Sequence, residues 1–158
     1  MNAVSIDNIK PFMESLLLSD RFDSMLVTGL KLVTFTAFET DGSRRKDYYD
    51  SDEEEGSDAF PDHVFWRELK NIVLSLVKGS KPPVFLSLSL ACPPRQTEKL
   101  LDYWGMSSSV SDIDGLNLNI VYRDRMLSVI SAVSWHNFTA DRTLDRLWDE
   151  YTAKHMTF

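Results

Sequence analysis

Disulfides, membrane spans and metal sites are all poorly provided for in this chain. Its 158 residues include one cysteine, Cys92, which cannot form an internal bridge. No stretch approaches the roughly 18 uninterrupted apolar residues of a membrane helix. The three histidines, His63, His136 and His155, are scattered, and neither an i, i+4 His pair nor a CxxC motif occurs, so no metal-ligand set is expected. Glycine and proline number only six each, which excludes collagenous and low-complexity classes. The glycine patterns of a P-loop, a dinucleotide site and a GxSxG elbow are all missing. The reading therefore leans away from an enzyme, with no catalytic residue and no cofactor expected. The segment 1–18 carries Asp7, Lys10 and Glu14, unlike the unbroken apolar core of a signal peptide, so a cytoplasmic protein is expected.

With 43% hydrophobic and 26% charged residues, the composition is that of a folded globular chain. Its length suits a single domain, 1–158, able to bury a core without metal or disulfide. The formal charge of -7 is misleading, because Asp50, Asp52, Glu53, Glu54, Glu55 and Asp58 lie close together and leave a body near neutrality. This acidic run at 50–60 reads as a solvated, mobile loop. Counting from Asp50 or Asp52 places neither the glycine nor the final glutamate of a calcium loop. Just before it, Arg44, Arg45 and Lys46 form a basic patch suited to phosphate or to pairing with the acidic neighbours.

Periodicity supplies the elements. Val4 and Ile6 begin a short strand, and Asp7 is a plausible cap for a helix with Ile9, Phe12, Met13, Leu16 and Leu17 at helical spacing. From Met25 to Thr40 the period is two, with Gly29 read as a turn between strands. Asp41-Gly42 signals a hairpin whose returning strand is Arg44 to Tyr49. Asp62 is read as capping a helix with Phe65, Leu69, Ile72 and Leu76 on its apolar face, ended by Lys78-Gly79. Val84 to Leu90 alternates as a strand. Pro93-Pro94 opens a helix closed by Gly105. Two strands, Leu116 to Arg123 and Met126 to Trp135, flank a tight turn, and a last helix starts near Asp141.

The expected fold is α+β: strand-helix-strand-strand(-strand) units, pseudo-duplicated, forming one antiparallel sheet with helices on one face, plus a central and a C-terminal helix. A shift of one hundred residues sets Val33 to Asp41 over Val133 to Asp141 and Phe38 over Phe138. In this plan the first and third helices lie side by side.

The segments RRKDYY, WRELKNIVLSLVKGSKPP, GLNLNIVYRDRMLSVISAVSW and FTADRTLDRLWDEY together resemble a family of uncharacterised clostridial-type proteins known only as a domain of unknown function. That resemblance implies a bacterial cytoplasmic protein and carries over no catalytic residue. The opening VSIDNIKPFMESLL and the element order also resemble one domain of a bacterial sliding DNA clamp, which implies a nucleic-acid-associated role. Clamps face DNA with basic helices, whereas Lys10 here is balanced by Glu14, and Arg95 and Lys99 by Glu98 and Asp102.

Three functions follow as expectations. The first is a non-enzymatic protein acting through association, with itself or another protein, because Trp66 and Leu74 fall off their helix's apolar stripe. The second is the clamp-like nucleic-acid protein. The third is a small-molecule enzyme or binder joining His136 and Asp141 to Arg44, Arg45 and Lys46. Asp141, Asp145 and Asp149 are read as a solvated helix face, and Cys92 as a buried strand-end thiol.

Overall fold

The computed structural model describes residues 1–50, 60–79 and 81–156, so most of the acidic run lies outside the described residues. The elements are β1 (Asn2–Ile6), α1 (Ile9–Leu18), β2 (Leu26–Val33), β3 (Ala37–Thr40), α2 (Trp66–Val77), β4 (Phe85–Ala91), α3 (Pro94–Tyr103), β5 (Ile113–Arg123), β6 (Met126–Trp135) and α4 (Thr143–His155), with 3-10 turns at Lys46–Tyr48 and Ser107–Asp112. The strands form one antiparallel six-stranded sheet in the order β1-β6-β5-β4-β2-β3.

Alternation decides which side of this sheet is covered. In β4, Leu86, Leu88 and Leu90 are buried while Phe85, Ser87 and Ser89 are half-exposed. β5 repeats the pattern, burying Leu116, Leu118, Ile120 and Tyr122. Register carries the buried row across the sheet, since Leu30 opposes Leu88, Leu88 opposes Ile120, and Ile120 opposes Val129. A side-chain period of two allows one face to be apolar throughout, and burying each such residue contributes roughly 1.5–3 kcal/mol.

The helices supply the other half of the core. Phe12, Leu16 and Leu17 of α1, Trp66 and Val73 of α2, Leu100 and Leu101 of α3, and Leu144 and Trp148 of α4 are all buried. Two indoles are pinned to backbone oxygens. Trp66 Nε1 donates to the Leu16 carbonyl and Trp148 Nε1 to the Asn117 carbonyl, each at 2.8 Å. The first bond ties α2 to α1, and Lys70 adds bonds to the Ser19 carbonyl and the Asp23 carboxylate at 2.8 and 2.6 Å. The close helix pair is thus α1 with α2, not the expected α1 with α3.

Trp66 lies in the core rather than at a subunit contact, because α2 is rotated relative to the periodic reading. Its buried side centres on Trp66 and Val73, and Ile72 is left 59% exposed. The helix also starts later than Asp62. Its cap is at Phe65, whose amide donates to Glu68 Oε2 at 2.7 Å. Glycine signals shift as well. Gly29 sits within β2 beside a bulge, and the reversal falls at 34–36, where the Thr34 amide bonds the Thr36 carbonyl at 3.0 Å. Arg44 to Tyr49 forms no strand. The chain makes a single bridge at Ser43 with His63 and then a 3-10 turn. On the other hand, Gly105 has φ +70° after α3, and Asp124-Arg125, at φ 52° and 62°, make the tight turn between β5 and β6.

Both the first and second halves contain a strand, a helix and a hairpin, but their pairing differs. β4 is inserted between the two hairpins, whereas β1 occupies the sheet edge against β6. The hundred-residue match does not superpose elements either. Phe38 is half-buried in β3, and Phe138 is 90% exposed beyond the end of β6. What the matching letters share is a turn. Asp41 Oδ1 accepts from the Ser43 amide and hydroxyl at 2.9 and 2.7 Å, and Asp141 Oδ1 accepts from the Thr143 amide and hydroxyl at the same distances.

Gly42 carries the strictest backbone requirement. At φ +73° an added Cβ would lie 1.9 Å from the Val27 carbonyl oxygen, while at Gly105 it would meet nothing within 4 Å. Gly42→Ala should therefore cost more than about 2 kcal/mol, and Gly105→Ala about 1 kcal/mol from left-handed strain alone. Urea unfolding of both variants checks this; equal losses would contradict the steric argument.

Candidate functional site

With α1, α2, α3 and α4 committed to the leucine side, the opposite face of the sheet is left open among the described residues. Its centre is built from Ser87, Ser89 and Ala91 of β4, Asn117, Asn119 and Val121 of β5, and Ser128, Ile130 and Ala132 of β6, all half-exposed. None of these nine side chains carries a charge, although the solvated side of an antiparallel sheet is ordinarily polar and charged. Charge returns at the margin. Lys31 opposes Glu39 across β2 and β3, and the Arg123 guanidinium lies 5.0 Å from the Phe85 ring centre. One end of the sheet is fringed by large apolar residues, with Phe35, Val84 and Met126 exposed by 87%, 68% and 67%.

Toward β3 the face deepens into a groove of about 890 Å³, lined by Lys31, Glu39, Asp41, Arg45 and the hydroxyls of Thr28, Ser87 and Ser89. Arg45 is thus the one member of the basic patch at the groove, and its Nη2 lies 3.2 Å from Asp41 Oδ2 in an exposed pair. Lys46 falls in the 3-10 turn and lines a separate cleft of about 340 Å³ with Tyr49, Phe60 and His63.

Arg44 is a structural residue. Its side chain is only 6% exposed, and its Nη1 and Nη2 bond Glu68 Oε1 and Oε2 at 3.0 and 2.7 Å. Nε donates to the Pro61 carbonyl at 2.8 Å, Nη1 reaches the Tyr49 hydroxyl at 3.1 Å, and the guanidinium stacks 4.5 Å from the Phe60 ring centre. A bidentate, aromatic-stacked arginine of this kind holds chain segments together. Here it joins the two ends of the segment that encloses 51–59 to the first turn of α2.

His136 and Asp141 lie at the far end of β6, and no hydrogen bond, ion pair or cavity among the described residues connects them to Arg44, Arg45 or Lys46. His136 Nδ1 pairs with Asp114 Oδ1 at 2.7 Å, and its amide donates to the Asp112 carbonyl. Asp141 lines a small cavity with Trp135 and Phe138. The postulated constellation of both regions is therefore split in two, since each was placed by a strand equivalence that the sheet does not contain.

The acidic side of α4 also differs from its reading as a solvated face. Asp145 is buried and Asp149 half-buried. The Ser131 hydroxyl donates to Asp149 Oδ1, while Asp145 Oδ1 lies 3.8 Å from Arg142 Nη1 and 4.0 Å from the Met1 ammonium. Four-residue spacing identified the shared face but not that it leans on β6. Burial also pushes the Cys92 thiol up to about 12, far from a reactive thiolate.

The class defined by this arrangement is an α+β protein with a one-sided antiparallel sheet and a charge-poor open face. The chain belongs to the family described as Family of unknown function (DUF5721), whose model matches residues 15–158. No curated protein and no solved structure matches it. Among the described residues, no helix is long and apolar enough to cross a membrane.

Two measurements follow from these environments. Burial raises the Glu68 carboxyl, but the Arg44 and Phe65 hydrogen bonds and the Arg44 and Arg67 charges outweigh it and hold it below the ordinary value. The pair's stabilisation is accordingly present above the unfolded glutamate value of about 4.3 and is lost as pH falls through the lower folded one. Wild type should melt above Glu68→Gln at pH 6, with the gap closing toward pH 3. Cys92 should be silent to a thiol reagent at pH 8 in the folded protein and react fully in denaturant; rapid native labelling would contradict its burial.

Proposed function

We propose that this protein is a non-catalytic association module that self-pairs through the open face of its sheet. The observation that carries the reading is the arrangement of that face, with a centre of small uncharged side chains and a charged, partly apolar margin. Depletion of charge at the centre and polarity at the rim is the anatomy of a protein interface. Serine, alanine, valine and asparagine lose little rotamer freedom on contact, so ordering them is inexpensive.

A second copy fits the face better than a strongly charged partner. Lys31 and Glu39 offset one another, so two such faces meet without net repulsion. Six strands spaced by about 4.8 Å, with roughly seven residues each, present on the order of 600 Å² per copy. That is comparable with the ~800 Å² per partner of a stable interface, and the exposed Phe35, Val84 and Met126 extend it. Face-to-face sheets pack about 10 Å apart, a spacing compatible with these small residues. Nucleic-acid binding is the less favoured reading, because Arg44 is occupied by Glu68 and Arg45 pairs with Asp41.

Light scattering coupled to size exclusion should give twice the chain mass for the wild type. The double change Val121→Lys and Ile130→Lys should give a monomer that still unfolds cooperatively, its melting temperature lowered by the lost pairing, since both positions lie outside the leucine core. A wild type that is strictly monomeric at high concentration defeats the proposal.

A further inference from the structure

Side chains on the open face of the sheet are graded in size from one end to the other. Register lays them in four transverse rows across β4, β5 and β6, each row two residues further along the strands. The row at one end is Phe85, Arg123 and Met126, and the row at the other is Ala91, Asn117 and Ala132. At the bulky end Met126 is 67% exposed and the Arg123 guanidinium lies over the Phe85 ring. Val121 and Ile130 belong to the two inner rows, among serines and an asparagine. On β2, Lys31 continues the Val121 row through Ser87, and Gly29 continues the Ile130 row through Ser89. Lys31 and Glu39 oppose each other across β2 and β3, yet among the described residues neither makes an ion pair.

We infer that two copies pair about a two-fold axis running across the strands, between the Val121 and Ile130 rows, so that each strand lies over its own counterpart. This rests on the self-pairing reading and fixes how that pairing is arranged. Sheets packed face to face sit about 10 Å apart with side chains interdigitated, so a large row must meet a small one. An axis parallel to the strands would set each row against the same row of the other copy. Phe85 and Met126 would then prop the sheets apart and leave the alanine ends unfilled. A transverse axis reverses the rows. It brings Phe85 over Ala91 of the second copy, Met126 over its Ala132 and Arg123 over its Asn117, and the symmetry makes each contact twice. The same operation sets Lys31 over the second copy's Gly29, where the missing side chain leaves room. Glu39 and Asp41 line the groove at that place and supply the opposite charge.

The test is a double-mutant cycle on the dimer dissociation constant, measured by sedimentation equilibrium on the full chain with Ala132→Phe and Met126→Ala. Within one copy these positions lie on the same strand, roughly 20 Å apart, too far to touch. Changes at that distance add unless a partner brings the two sites together. Ala132→Phe alone should weaken pairing about tenfold by overpacking against Met126 of the second copy. Adding Met126→Ala should restore the constant to within about threefold of wild type. Circular dichroism melts report folding, and if Ala132→Phe does not fold, Ala91→Leu with Phe85→Ala gives the equivalent cycle on β4. A dimeric wild type in which the two changes simply add overturns the transverse axis and leaves self-pairing standing. A monomeric wild type overturns both.

Discussion

Leucine side chains from β4 and β5 point to one side only, and each of the described α-helices is spent covering that side. Trp66 and Trp148 each complete the cover by bonding a backbone carbonyl, so the largest side chains in the core also satisfy their one polar atom. Single-sided burial has a consequence on the other face. Among the described residues no second helical layer lies over it, and its residues must suit either water or another protein surface.

A second constraint acts through Arg44. It ties the 43–49 and 60–65 segments to Glu68 and so sets where α2 begins. The order of events is physical: the guanidinium is withdrawn from solvent, its charge must be matched there, and Glu68 does so while also receiving the Phe65 amide. Gly42 makes the same region possible by letting the backbone approach Val27 where a side chain would collide.

The positions and kinds of most elements were legible from residue spacing alone, because Leu86, Leu88 and Leu90 at period two or Leu100 and Leu101 after Pro93-Pro94 state a local preference. The Asp124-Arg125 turn and the Gly105 cap were legible for the same reason, being settled within a few residues. Strand neighbours were not, since inserting β4 between two hairpins is a choice among long-range pairings with nearly equal local cost. Helix rotation escaped for a related reason. Trp66 or Phe65, Ile72 or Val73, differ by one step around α2, and only the position of α1 decides which goes inward. The chain itself thus determined that it would build an antiparallel sheet with one apolar side. Tertiary structure alone decided that Arg44 is a clamp, that Asp145 is buried, and that His136 and Asp141 belong to a different place from Arg45, because each outcome depends on contacts between residues far apart in the chain.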